Sequence, residues 1–268
     1  MQGAVDTEKE EALSLQREFE WVLNIEVHAV LNQLHTILVE CARRFPLNLC
    51  GNESNHKEEK YILSIAPDQL KCVVSLAGDT ITQADINFKV QRQQNQSYRT
   101  SIQGDSHWKL HQVQDAANHL QMALMHIENI DKDYAFNSSE EVLHILGNIL
   151  GCLQRGRNTL IVPRKKAMDD LMNSRNMKSL KPNLPEDVAI SFYIQSHKLV
   201  FAVYHLTSVQ GTMKFDCHQT DTSVPWLNEV LVLFTVALQL CQQLKDKICV
   251  FAQYKDFTIG SRPASSFA

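Results

Sequence analysis

PWLNEVLVLFTVALQLCQQLKDKICVFAQY, residues 225–254, carries the strongest periodic signal in the chain. Pro225 stands where a first-turn proline belongs, since its missing N–H and preset φ cost nothing there. After it, Leu227, Val230, Phe234, Ala237, Cys241, Leu244, Ile248 and Phe251 alternate by three and four without a break, which is the heptad signature of a helix with one apolar stripe. A helix of this extent is roughly 40 Å long. Its first half, Val230 to Phe234, is apolar nearly all round, and that predicts packing against more than one neighbour. Asn228, Glu229 and Gln239 interrupt the apolar run and Gln242-Gln243 close it, so it reads as a poor membrane span.

Such a stripe needs partners, and three further segments carry the same repeat. In residues 7–45 it falls on Leu23, Val27, Val30, Leu34, Ile37 and Cys41, ending at Pro46 and the polar Asn48–Asn55 stretch. In residues 106–130 it falls on Leu110, Val113, Ala117, Leu120, Leu124 and Ile127. In residues 138–160 it falls on Val142, Leu146, Ile149 and Leu153, behind Ser138 and Glu141 at capping-box spacing. Gly147, Gly151 and Gly156 weaken that last helix by about 1 kcal/mol each relative to alanine and permit close helix approach.

Elsewhere the period drops to two. Tyr61–Ile65, Leu70–Ala77 and Ile86–Val90 read as strands, and Val188, Ile190, Phe192 and Ile194 alternate cleanly into a second alternating run at Leu199–Leu206. Gln195 to Lys198 is then a hairpin turn, and 212–224 supplies one more strand. Asn48–Glu59 and Gln91–Gly104 read as loose polar connections, and Lys255–Ala268 as a disordered tail. The order helix, strands, two helices, strands, helix predicts an α+β fold. An antiparallel four-helix bundle uses both chain ends (7–47, 106–162, 225–254), and a separate, mainly antiparallel β domain takes 58–105 and 184–224. A basic linker spans 163–183 and the tail 255–268.

Composition bounds function. The chain has 268 residues, net charge −4 and seven scattered cysteines. A slightly acidic chain has no global electrostatic reason to bind nucleic acid. Odd, scattered cysteines inside apolar runs predict core thiols in a reducing compartment. The polar, acidic first twelve residues read as neither signal peptide nor presequence, so a cytoplasmic protein is expected, with any membrane association indirect.

Little in the sequence suggests chemistry. His107, His111, Asp115 and His119 are spaced by fours, which would place His107 and His111 within reach of one metal on a helix. A solvated polar face is the competing and favoured reading, because metal sites need convergent ligands. H-E-x-x-H, C-x-x-C, G-x-S-x-G and a phosphate loop are absent. The expectation is no enzyme, no cofactor and no metal. Asp79 and Asp85 read as turn chemistry, and Cys217 beside His218 as a quiet thiol. Arg164, Lys165 and Lys166 open a cationic stretch that runs through Arg175, Lys178 and Lys181, diluted by Asp169 and Asp170. Beside Met168, Leu171 and Met172, it is either a charged linker or a contact for anionic lipid or an acidic partner. The zipper positions pack internally on this reading, making a monomer the expectation over a zipper dimer.

Four stretches resemble the Rogdi family of leucine-zipper-like proteins: Glu18-Phe19-Glu20-Trp21 with Glu26 to Leu31; Gln83 to Asn87; Trp108 to Ala116; and Pro225 to Asn228 continuing through Leu238 to Ile248. The likeness follows the whole chain in order and points to an animal member, with an insect the best guess. Asn48–Glu59, Arg164–Lys181 and a shorter loop near Gly211–Thr222 depart from the vertebrate pattern. The resemblance implies an elongated molecule whose first and last helices pair antiparallel. It implies a likeness to the small subunit of the yeast RAVE complex, which reassembles the vacuolar proton-pumping ATPase. Rabconnectin-type WD-repeat proteins and cytosolic V-ATPase subunits are the implied partners. Synaptic vesicles, endolysosomes and the nuclear envelope are the implied settings, with neuronal and memory roles. A zipper-mediated dimeric adaptor at the nucleus is the alternative, though no basic region precedes a heptad helix as a DNA-binding zipper requires.

Overall fold

Two periodicities in one chain require two kinds of layer, and both form. The computed structural model describes residues 2–45, 58–65, 69–90, 96–104, 106–163, 167–209 and 212–253. Helix α1 (Gln2–Trp21) passes through a π-helical segment (Val22–Glu26) into α2 (Val27–Arg44). Strands β1 (Glu59–Ile65), β2 (Leu70–Ala77), β3 (Thr80–Val90), β4 (Gln96–Ile102) and β5 (Trp108–Lys109) follow, then helices α3 (His111–Glu128) and α4 (Ser139–Ile161). Two short helices, α5 (Met168–Met172) and α6 (Arg175–Lys178), precede β6 (Val188–Gln195), β7 (Lys198–Val209), β8 (Thr212–Ser223) and the last helix, α7 (Pro225–Ala252). The fold is α+β with antiparallel sheets.

The chain divides into two compact units. One comprises Met1–Glu40, His119–Gln154 and Leu233–Ala268; the other comprises Cys41–Asn118 and Arg155–Val232. The division passes through α2, α3, α4 and α7, whereas the sequence places its boundaries at helix–strand junctions. Gln112, in the first turn of α3, shows why the helix ends belong with strands. Its Nε2 donates to the carbonyls of Thr159 (2.9 Å) and Ile194 (2.9 Å), and its Oε1 accepts from the Ile194 N–H at 2.8 Å. One buried amide thus imitates a neighbouring strand at the end of β6 while closing the last turn of α4.

The second unit holds both sheets. The first has order β1-β2-β3-β4, with β5 pairing the start of β3 through Ile81 opposite Trp108. A two-residue turn joins β2 to β3, and it works because Gly78 takes φ 65°. The inward set, Leu63, Cys72, Val74, Ile86, Phe88 and Ile102, is buried, and alternation sends Ile62, Lys71, Asp85 and Arg99 outward. The second sheet has order β6-β7-β8 and buries Val188, Ile190, Phe201 and Val203.

Three expectations are corrected. Gln96–Ile102 is a strand, in full antiparallel register with β3, rather than part of a loose connection. Its outward Ser97, Arg99 and Ser101 hide the alternation of Tyr98, Thr100 and Ile102. The chain at 167–183 is folded rather than a plain linker: Leu171 and Leu180 are buried, the Met177 sulfur accepts the Ile190 N–H at 3.4 Å, and Ser101 and Lys181 exchange backbone hydrogen bonds. The first half of α7 is not enclosed all round, for Val232 is 54% exposed. The 46–57 stretch and the tail beyond 253 lie outside the described residues.

Candidate interaction surface

The zipper positions sort clearly by burial. On α7, Leu227, Val230, Phe234, Ala237, Cys241, Leu244, Ile248 and Phe251 are all buried, so the three-four alternation is the inward stripe. Leu110, just ahead of α3, is buried, as are Val113, Ala117, Leu120, Leu124 and Ile127 within it. Val142, Leu146, Ile149 and Leu153 are buried on α4. The Ser138 hydroxyl accepts the Glu141 N–H at 3.3 Å, as a capping residue does, while the Glu141 carboxylate accepts the N–H of Asn137, one residue before the cap, at 3.2 Å.

On α2 the phase differs by one residue at alternate turns. Leu23, Val27, Leu34 and Cys41 are buried, but Val30 and Ile37 are half-buried, and Leu31 and Leu38 occupy the inward places. Both neighbours in each pair are apolar, so the sequence supports two stripes about 100° apart, and packing selects between them.

Within the first unit, Phe19 stacks on Phe251 with centroids 5.5 Å apart, and the Lys247 ammonium donates to the Glu26 carboxylate at 2.7 Å. Nearby, a His28 ring nitrogen lies 2.8 Å from the Tyr134 carbonyl, and the Tyr134 hydroxyl donates to Glu141, which raises the phenol's pKa. Within the second unit, Arg44 pairs with Glu229 at 2.6 Å, Phe45 lies against Trp226, and the Cys41 thiol points to the Val230 carbonyl. In each unit, rising numbers at the first helix meet falling numbers on α7, so the two run antiparallel there.

Among the mostly polar outward side chains of the first helix stands a small apolar pair. Trp21 and Ile25, four residues apart at the π-helical segment, are 53% and 55% exposed. The Val27 N–H reaches back to the Val22 carbonyl, five residues earlier, and the extra residue in that turn resets which side chains face out. The spacing rule assumes a uniform helix and does not reveal this pair. A solvent-facing tryptophan is the kind of anchor on which protein interfaces concentrate their energy.

The chemical candidates do not converge. His107 precedes the helix, because Trp108–Lys109 pairs with β3 and α3 starts at His111, so His107 and His111 share no helical face. Among the described residues no three of His, Cys, Asp and Glu are placed to hold a metal ion. Asp79 is nearly buried; its carboxylate accepts from the Thr80 hydroxyl at 2.7 Å and its carbonyl from the Leu110 N–H at 2.7 Å, which is turn chemistry. Asp85 stands apart on the outer face of β3. Burial pushes the Cys72 thiol far above its ordinary range and the Cys241 thiol up to about 12, so both stay protonated at neutral pH. Cys217 is exposed, and burial raises its thiol too. Arg164, Lys165 and Lys166 lie outside the described residues. By length and composition alone, Glu10–Arg44 and Pro225–Ala252 are apolar enough to cross a membrane, yet both carry the inward stripes described above.

A family profile described as "Rogdi leucine zipper containing protein" matches residues 18–216. The chain is 62% identical over 268 residues to "Protein rogdi" of Drosophila melanogaster, covering all of both chains. It is 38% identical over 268 residues to "Protein rogdi homolog" of Homo sapiens, covering 90% of this chain and 93% of that one. Against the Caenorhabditis elegans homolog the identity is 28% over 210 residues, 71% of each chain.

Proposed function

The chain belongs to the Rogdi family, and from that footing we propose that it is a non-catalytic scaffold subunit of a RAVE-like complex. The complex promotes assembly of the V-ATPase and so acidification of vesicles and organelles. The observation that carries the reading is the full-length likeness to the fly and human members. Rabconnectin-type WD-repeat proteins and cytosolic V-ATPase subunits are its partners, and it works in the cytoplasm beside V-ATPase-bearing membranes such as synaptic vesicles and endolysosomes. The mechanism is mass action: a subunit that holds the cytosolic sector near its membrane sector raises the effective concentration of one for the other. The four long helices pack as one antiparallel bundle, supported by the inward stripes and by the antiparallel contacts between the first helix and α7 within each unit. Trp21 and Ile25 are the partner-contacting pair we assign on it.

The test is pull-down of the full chain, wild type and Trp21→Ala, from neuronal tissue, with acidification measured in cells lacking the protein. The reading expects V-ATPase subunits with the wild type, at least tenfold fewer with the variant, and slower reacidification in the null. Normal reacidification in the null overturns it. The alternative, a zipper-mediated dimeric adaptor at the nucleus, is disfavoured because the stripe it would use is already buried in the chain.

A further inference from the structure

The outer face of the first sheet is not flat. Lys60, Ser75 and Gln83 form one row across β1, β2 and β3, and Val73, Asp85 and Ser101 form the next across β2, β3 and β4. Together with Gln103 and Gly104, just past β4, the two rows line a recess of ≈ 300 Å³, the small end of the range for ligand pockets. It forms because short side chains stand among long ones, and because the β2–β3 register slips between Ser75 and Leu76. The slip gives β3 one extra residue, Thr82, and such bulges bend a strand and recur beside functional sites. The recess holds one acid and one base. Among the described residues the Asp85 carboxylate accepts no hydrogen bond and forms no ion pair. Lys60 forms no salt bridge either; its neighbour Glu58 already accepts the Thr82 hydroxyl at 2.6 Å. Lys71 and Arg99 stand one row further along, opposite Asn87 and outside the recess. Lys60 and Asp85 are two strands and two residues apart, about 12 Å between Cα atoms, which leaves space for a small molecule to bridge their charges.

We propose that this recess binds a free α-amino acid, with the Asp85 carboxylate taking its ammonium group and the Lys60 ammonium taking its carboxylate. A zwitterion answers both charges at once. A simple amine would meet Lys60 and a simple carboxylate would meet Asp85, each a like-charge contact. The rest of the lining selects the side chain. Val73 is the one outward apolar side chain there, since Ala84 and Ile102 are buried on the other face. Gln83 and Gln103 present carboxamides, and the Ser101 hydroxyl, which donates to the Lys181 carbonyl at 2.9 Å, still accepts. An uncharged polar side chain therefore fits best, as in glutamine or serine. The recess is open to solvent and its charges are exposed, so affinity is weak, with a Kd on the order of 1 mM. The site lies on the sheet, away from Trp21 and Ile25 in sequence and chemistry, and does not rest on the scaffold reading.

The test is a saturation-transfer NMR titration of the full chain with L-glutamine and L-serine at neutral pH and low salt, alongside the N-acetyl and α-amide forms of each. The N-acetyl form lacks the ammonium and stands for the last residue of a peptide; the α-amide lacks the carboxylate and stands for the first. At least one free amino acid should saturate in the millimolar range, with both its blocked forms about tenfold weaker or more. Asp85→Asn and Lys60→Gln keep side-chain shape or length on an exposed face, so circular dichroism should be unchanged while each weakens binding about tenfold or more. Lys71→Gln, outside the recess, should leave it intact. Three results overturn the proposal: no saturation by either amino acid up to about 20 mM, a blocked form that binds as tightly as its parent, or undiminished binding by Asp85→Asn or Lys60→Gln.

Discussion

Gln112 and Ser139 are opposite cases of a polar group brought inside. Gln112 satisfies three backbone groups, and its loss strands them away from water, where each unmade bond costs about 1–3 kcal/mol. Gln112→Ala should therefore lower unfolding free energy by about 3 kcal/mol in urea titration. Ser139 is fully buried, and among the described residues its hydroxyl has no partner. Ser139→Ala should raise stability by about 1 kcal/mol, read as a higher urea midpoint at unchanged slope. The buried thiols set a pH dependence. Cys72 and Cys241 titrate above their unfolded values, so the folded state keeps protons the unfolded chain has shed. Their contribution is intact below the ordinary thiol range near 9 and is lost as pH rises toward about 12. Urea midpoints should fall between pH 9 and 11, and less steeply in Cys241→Ala. None of these residues advertises its role in the sequence: a glutamine that imitates a strand is recognisable only once helix and strand ends meet.

At the scale of elements, legibility follows the purity of the pattern. Helix α7 is readable to the residue because Gln242, Gln243, Lys245, Asp246 and Lys247 separate the inward Cys241, Leu244 and Ile248 of its second half. Helix α2 is readable as a helix but not in phase, since Val30-Leu31 and Ile37-Leu38 present apolar choices side by side. Strand β4 is missed because polar residues dominate its outer face, and β5 because two residues are too few to show a period. Leu244 is buried in the second half of α7. Leu244→Pro should cost about 3 kcal/mol or more and Leu244→Ala about 2–5 kcal/mol; differential scanning calorimetry that leaves either at the parent melting temperature would remove α7 from the core. The start of α1 gives the contrasting case. From Glu10 to Glu18 all residues but Ala12 are exposed, so Leu13→Ser and Leu15→Ser should each change stability by less than about 1 kcal/mol.

For the whole molecule, class and element order are in the sequence, while the division into units is not. A reader of periodicity separates helices from strands, but the chain groups helix ends with sheets because Gln112 and its bonds tie them there. Interaction is harder still: a solvent-facing tryptophan such as Trp21 is a property of what fails to cover it. The pairing of the first helix with the last has a further consequence during synthesis. Glu26 and Lys247 meet across 221 positions. At about 5–20 residues per second the ribosome needs roughly 10–45 s to deliver the second after the first. For that interval Leu23, Val27, Leu31 and Leu34 emerge with their last-made partner still unwritten, and the nascent chain is a client for chaperones. A premature stop anywhere before α7 makes that waiting permanent. Such a product would be cleared as an orphan with an unsheltered greasy stripe, however well its sheets fold, and loss of residues 225–268 would resemble loss of the gene.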